Sequence, residues 1–161
     1  EKDQIRFMML NRSNDVELDF DFDKVKEKSK ENPVFYVQYA YARIHSLLET
    51  LNLSLLKNVE LNENNINFNT SEEKIIRKVF EWPKIIESSS RQFDLHKIPF
   101  YLYELSTLFH AYWSKGNENK DYKFIEKNKI KRNKILLIIN LLAIVIQNGM
   151  RILGVSLPKK M

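Results

Sequence analysis

The chain contains no cysteine, only three glycines and four prolines, and only three histidines in 161 residues. Without cysteine there can be neither a disulfide framework nor a thiolate-held metal, and the absence fits a reducing compartment, so the cytoplasm is the expected location. Few glycines and prolines means few of the turn residues that a sandwich of many short strands consumes, which points away from β architecture. The histidines, His45, His96 and His110, fall on separate predicted elements, none with a partner at metal or triad spacing. There is no glycine-rich phosphate loop and no nucleophile elbow, so no catalytic residue is expected in this stretch. The longest apolar run, Ile135–Ile146, is broken by Asn140 and is too short to cross a bilayer; it reads as a buried helix, with no membrane partner expected. No signal segment opens the chain, and Glu1 reads as a cut inside a longer protein.

What is present is a composition, 43% hydrophobic, able to bury one sizeable core. The segment ENPVFYVQYAYARIHSLL, Glu31 to Leu48, opens with Asn32 as a helix cap and Pro33 at the first position, where a missing N–H costs nothing. At about 100° per residue, Val37, Ala40, Ile44, Leu47, Leu48 and Leu51 share one face, while Tyr36, Tyr39 and Arg43 line its flank. The first set reads as core. The second offers flat rings and a planar guanidinium at the core's edge, the equipment that unstacked bases and phosphates use.

Elsewhere the 3.6 period predicts a helix from Asp3 to about Arg12. A second segment, capped by Thr70 or Ser71 with Glu73 in its first turn, runs to about Phe93 and is interrupted at Pro83. Another helix runs from Ile98 to Trp113 with Gly116 placed as its C-cap, and a last one from Lys129 to Leu153, ended by Gly154. Between the first two, Asp15, Glu17, Asp19, Asp21 and Asp23 alternate with Val16, Leu18, Phe20 and Phe22. That spacing lacks the glycine turn and terminal glutamate of a calcium loop, so the stretch reads as an extended linker, with a short helix from Phe22 to Lys30, and no metal is expected. Glu60 to Thr70 is rich in asparagine and reads as a loop.

The net charge of +5 is concentrated. Lys120, Lys123, Lys127, Lys129, Lys131, Arg132 and Lys134 face only Asp121 and Glu126. A basic segment beside a helical core suits phosphate attraction, and Lys131, Arg132 and Lys134 are the expected phosphate contacts. His110, next to Tyr112 and Trp113, reads as a satisfied structural histidine.

NPVFYVQYAYAR closely resembles the signature NPVYYVQYAHAR that opens the helical, DALR-type anticodon-binding domain of arginyl-tRNA synthetases. DQIRFMML and ELDFDFD upstream, and FEWPKII, LYELSTLFHAYW and LGVSLPKKM downstream, resemble further stretches of that family in the same order, so the likeness spans nearly the whole chain. It implies an all-α helical bundle, with residues 1–31 a remnant joining a missing N-terminal catalytic domain and 32–161 the anticodon-binding domain. The family's HIGH-like and KMSK-like nucleotide motifs are missing. No cofactor is therefore expected here, whereas ATP with Mg would serve the full-length enzyme, an arginine–tRNA ligase. The implied partner is the anticodon loop of the tRNA for arginine, met by Tyr36, Tyr39, Arg43, Tyr112 and Met161, and a monomer is expected. Arginine codons share a middle G, which makes the anticodon's central C the natural target. Tyr41 departs from the family's usual histidine. The competing readings are a helical protein-interaction domain for an acidic partner and the anticodon domain of a related class I synthetase.

Overall fold

The Asn32 cap forms as its place before Pro33 requires: in the computed structural model the Phe35 amide donates to its side-chain oxygen at 3.4 Å, and the helix runs on from Pro33. The structure describes residues 2–13, 27, 29–55, 67–126, 129–130 and 133–161. Among these the α-helices are α1 (Lys2–Leu10), α2 (Pro33–Thr50), α3 (Thr70–Phe80), α4 (Trp82–Gln92), α5 (Lys97–Glu118) and α6 (Asn133–Leu153). A 3-10 turn, Lys120–Tyr122, and a minimal antiparallel hairpin, β1 (Ile125–Glu126) with β2 (Lys129–Ile130), connect α5 to α6. The all-α bundle expected from the sequence is the observed architecture, with this two-residue ladder as its unforeseen addition.

The core is where the helical period puts it. Val37, Ala40 and Ile44 of α2 are fully buried against α5, which contributes Leu102, Leu105 and Phe109, and α6, which contributes Leu142, Ala143 and Ile146. Each large apolar side chain so buried contributes about 1.5–3 kcal/mol. Helix α6 is long and apolar enough by length and composition to span a membrane, yet most of it lies inside the bundle. Helix α1 joins the same core through Phe7, which is 0% exposed, and its Arg6 Nε donates to the Leu153 carbonyl at 2.7 Å. Ile5 and Met9 stay exposed, so only one side of that apolar helix is buried.

Several boundaries differ from expectation for identifiable reasons. Asn69, not Thr70 or Ser71, caps α3: its side chain accepts from the Ser71 and Glu72 amides while Glu72 reaches back to the Asn69 amide at 2.8 Å, a closed capping box. Pro83 divides α3 from α4, sitting in the first turn of the latter. Gly116 does not end a helix but lies inside α5, where a Cβ would stand 3.1 Å from the Tyr122 carbonyl oxygen. The glycine lets the 3-10 turn fold back onto the helix. The last helix is described from Asn133, not Lys129, and Lys129 and Ile130, expected to open it, pair in β2 instead. Gly154 does terminate it, at φ +66°. The acidic alternating stretch, most of the expected Phe22–Lys30 helix and most of the asparagine-rich loop lie outside the described residues.

The α5–α6 approach depends on Gly149. A Cβ there would lie 2.7 and 2.8 Å from the two Leu102 methyls, and Leu102 is itself fully buried. Gly149→Ala gains about 1 kcal/mol of helix propensity but overpacks the contact at a cost of about 1–3 kcal/mol. A lowered thermal midpoint is expected; a raised one in a calorimetric scan would show that the two helices can separate freely.

Candidate nucleic-acid interface

Helix α2 carries its polar flank along Tyr39, Arg43, Ser46 and Thr50, successive positions of one helical stripe. Helix α5 faces it with His110 and Trp113. The Arg43 guanidinium lies 4.2 Å from the Tyr39 ring centroid and 5.4 Å from that of Trp113, donates from Nη2 to the Tyr39 hydroxyl at 2.8 Å, and meets His110 Nδ1 through Nη1 at 3.2 Å. The other ring nitrogen of His110 lies 3.1 Å from the Tyr36 carbonyl oxygen. A carbonyl only accepts, so Nε2 carries the proton and Nδ1 accepts from Arg43. Neutral His110 therefore clamps α5 to α2 and fixes the guanidinium. Two of the five arginine N–H donors hold it in place, leaving the others for a ligand.

Burial is the main reason His110 is depressed to about 4; the Tyr36 hydrogen bond opposes the shift and the Arg43 charge adds to it. The unfolded chain, titrating near 6.5, takes up a proton between pH 6.5 and 4 that the folded chain refuses. The His110 contribution is thus whole above pH 6.5 and is lost as pH falls toward 4, by at most about 1.4 kcal/mol per pH unit. His110→Gln keeps an acceptor and a donor but cannot titrate. Its stability should fall less steeply in acid, with the remaining slope drawn partly from His45, which burial also holds low; an unchanged slope in urea titrations from pH 7 to 4 would acquit His110.

The flank opens into a cavity of about 280 Å³. Tyr39, Arg43, Ser46, Thr50, Trp113 and Met161 line it over an apolar floor that includes Leu47. Three of the expected site residues thus share one cavity. Met161 reaches it because the chain after Gly154 crosses α2, held where Gln38 donates to the Ser156 carbonyl at 2.9 Å and Lys160 pairs with Glu49 at 2.9 Å. Tyr36 does not line it: its ring packs 4.3 Å from His110 and 5.4 Å from Tyr103, and burial pushes its phenol up from the ordinary value. Phe35 stacks on Tyr39 at 5.8 Å, so the outer end of the stripe is already occupied by protein rings.

Two expectations are corrected. Tyr112 is not at this surface: it is 1% exposed, its ring packs 4.8 Å from Phe124, and its hydroxyl donates to Glu72 Oε1 at 2.7 Å. The aromatic that α5 presents is its neighbour Trp113. Lys134 is not a phosphate contact either, because the residue is 5% exposed and its ammonium bonds Glu72 Oε2 and the Asn67 carbonyl, both at 2.6 Å. Lys131 and Arg132 lie outside the described residues. His110 is satisfied, as the sequence reading had it. Tyr41 is buried, its ring 4.5 Å from His45 and away from the stripe.

A family profile described as the DALR anticodon binding domain matches residues 37–161. The arginine–tRNA ligase of Pelagibacter ubique (strain HTCC1062) is 49% identical over 160 residues, which are 99% of this chain and 28% of that protein. That of Rickettsia africae (strain ESF-5) is 43% identical over 166 residues, 99% of this chain and 29% of the relative. The chain thus spans less than a third of the curated relatives it matches. Among solved structures, a protein from Campylobacter jejuni assigned as an arginyl-tRNA synthetase superposes with a TM-score of 0.83 at 26% identity, over 99% of this chain and 33% of that one. The Thermus thermophilus arginyl-tRNA synthetase shares the fold, with a TM-score of 0.72 at 20% identity over 99% of this chain and 26% of that one. A helical bundle with a basic segment, an arginine held between rings and a sequence matched in this way from Val37 to Met161 belongs to the DALR anticodon-binding domain family.

Proposed function

We propose that this chain is the anticodon-recognising part of an arginine–tRNA ligase, and that its cavity receives the central C of the arginine anticodon. The observation that carries the reading is the meeting of Tyr39, Arg43 and Met161 in one cavity. The three come from two separated stretches of sequence, and together supply ring surface, a fixed donor fork and an adaptable apolar lid. The names of relatives covering nearly the whole chain support the amino-acid assignment. The attachment of arginine to tRNA with ATP and Mg would be performed elsewhere in the longer protein, in the cytoplasm, with residues 1–31 leading toward that catalytic part and the protein acting as a monomer.

The test is a titration with a fluorescent stem-loop bearing an arginine anticodon, beside one whose central C is replaced by G. Affinity should fall at least about tenfold for the replacement, the equivalent of about 1.4 kcal/mol. Equal affinity for the two would refute recognition of that base, and preference for acidic proteins over either RNA would favour a protein-interaction role.

A further inference from the structure

We propose that Asp3 and Arg6 of α1 are positioning residues for the base cavity: they fix the chain that leaves α6, so that Met161 reaches the cavity of Tyr39 and Arg43. The inference rests on the RNA-binding reading above and names what sets one wall of that same cavity. Helix α1 precedes the segment that the family profile matches, which begins at Val37, so both residues lie outside the matched domain.

The route of the tail is built outward from α6. Gly154 turns the chain out of the helix at φ +66°, and the Val155 amide closes that turn on the Met150 carbonyl at 2.9 Å. The last carbonyls of a helix have no partner within it. Arg6 supplies one, its Nε donating to the Leu153 carbonyl at 2.7 Å, and brings a cation to the end of α6 that the helix dipole favours. The same guanidinium lies against Gly154, where a Cβ would stand 2.9 Å from Arg6 Cζ. Two residues further on, Ser156 is gripped from both sides. Its amide donates to Asp3 Oδ2 at 3.2 Å and its hydroxyl donates to the same oxygen, while its carbonyl accepts from Gln38 of α2 at 2.9 Å.

From Ser156 the chain can extend at most about 17 Å to its last residue, and Pro158 restricts the path further. Beyond that grip the tail is held by Leu157, packed on the core, and by the pair Lys160–Glu49, whose side chains are 73% and 62% exposed. An ion pair so open to water holds weakly. Ser156 is therefore the firm point that aims Met161, and α1 provides one side of it. The support is itself fixed, because Phe7, one turn after Asp3, is fully buried in the core.

The experiment follows isotope-labelled methionine methyls by NMR in the free chain. Of the four methionines, Met161 is identified by the resonance lost when that residue is deleted. In a cavity lined by Tyr39 and Trp113, its methyl should resonate away from the position of a methionine in an unfolded peptide. Asp3→Ala and Arg6→Ala should each move it toward that position and leave the fully buried Met150 where it is, which gives the folding control. Asp3→Asn loses the charge that favours a helix start but keeps an oxygen for Ser156, and should restore the wild-type position. It thereby separates a lost tether from a frayed α1. The arginine anticodon stem-loop is then titrated against the same chains. Asp3→Ala should weaken binding about threefold, within the range of one lost hydrogen bond, and should have no effect in the chain lacking Met161. A Met161 methyl unmoved by Asp3→Ala, or equal weakening with and without Met161, would overturn the positioning role. If the methyl moves but no stem-loop binds, the RNA reading falls and only the tethering of the tail by α1 stands.

Discussion

Lys134→Met should lower the stability of the fold by about 3–5 kcal/mol, the usual cost of removing one partner from a buried ion pair. Glu72 is 1% exposed and Lys134 5% exposed, so water cannot replace what is lost. In the native chain the carboxylate is fully engaged: Oε2 accepts from Lys134 and from the Asn69 amide, and Oε1 from the Tyr112 hydroxyl. These bonds tie the α3 cap, the middle of α5 and the start of α6 to one point. Methionine would keep the volume of the lysine stem but strand a negative charge in the core and leave the Asn67 carbonyl without its donor. Against a total stability of about 5–15 kcal/mol for a typical domain, this is a large fraction. Urea unfolding followed by far-UV circular dichroism should place Lys134→Met well below wild type. The double variant Glu72→Gln with Lys134→Met should unfold later than Lys134→Met alone, because it strands no charge. A wild-type midpoint for Lys134→Met would mean that the pair contributes nothing.

The same lysine marks where sequence reading stops. Within the basic run Lys120–Lys134 nothing local separates a solvated cation from a buried one; the distinction is made by Glu72, brought alongside only when α3 packs on α6. Tyr112 and Trp113 pose the same problem. Both are aromatic, they are adjacent on α5, and Glu72 draws the first into the core while the second turns toward Arg43. By contrast, features set within one or two turns of chain were legible: the Asn32–Pro33 start of α2, its Val37–Ala40–Ile44 core face, the break at Pro83 and the Gly154 stop. The α3 cap was missed by one position although its signature, Asn69 followed three residues later by Glu72, stands in the sequence. Ser46 and Thr50 were equally within reach, since they continue the Tyr39–Arg43 stripe at helical spacing.

Arg43→Ala should weaken binding of the arginine anticodon stem-loop by roughly 10–100-fold, the equivalent of about 1.4–2.7 kcal/mol, and should remove preference for the central C. The side chain ties the aromatic end of the cavity together: it lies over Tyr39 and near Trp113, and it bonds the Tyr39 hydroxyl and His110. On the proposed reading, its loss takes away the donors that would meet a base edge. It also leaves the buried His110 Nδ1 without a hydrogen, at a penalty of about 1–3 kcal/mol, so part of the effect will appear as reduced stability. Arg43→Lys separates the two contributions. Lysine keeps the charge, but a point ammonium cannot make both hydrogen bonds and reach both rings as the guanidinium does. Its affinity should therefore fall between the wild type and Arg43→Ala, while its discrimination between C and G at the central position should drop nearly as far as that of alanine. The ratio of the two affinities is the decisive reading, because a merely structural arginine would weaken both RNAs equally. Discrimination that survives in Arg43→Ala would move base recognition to other residues of the cavity.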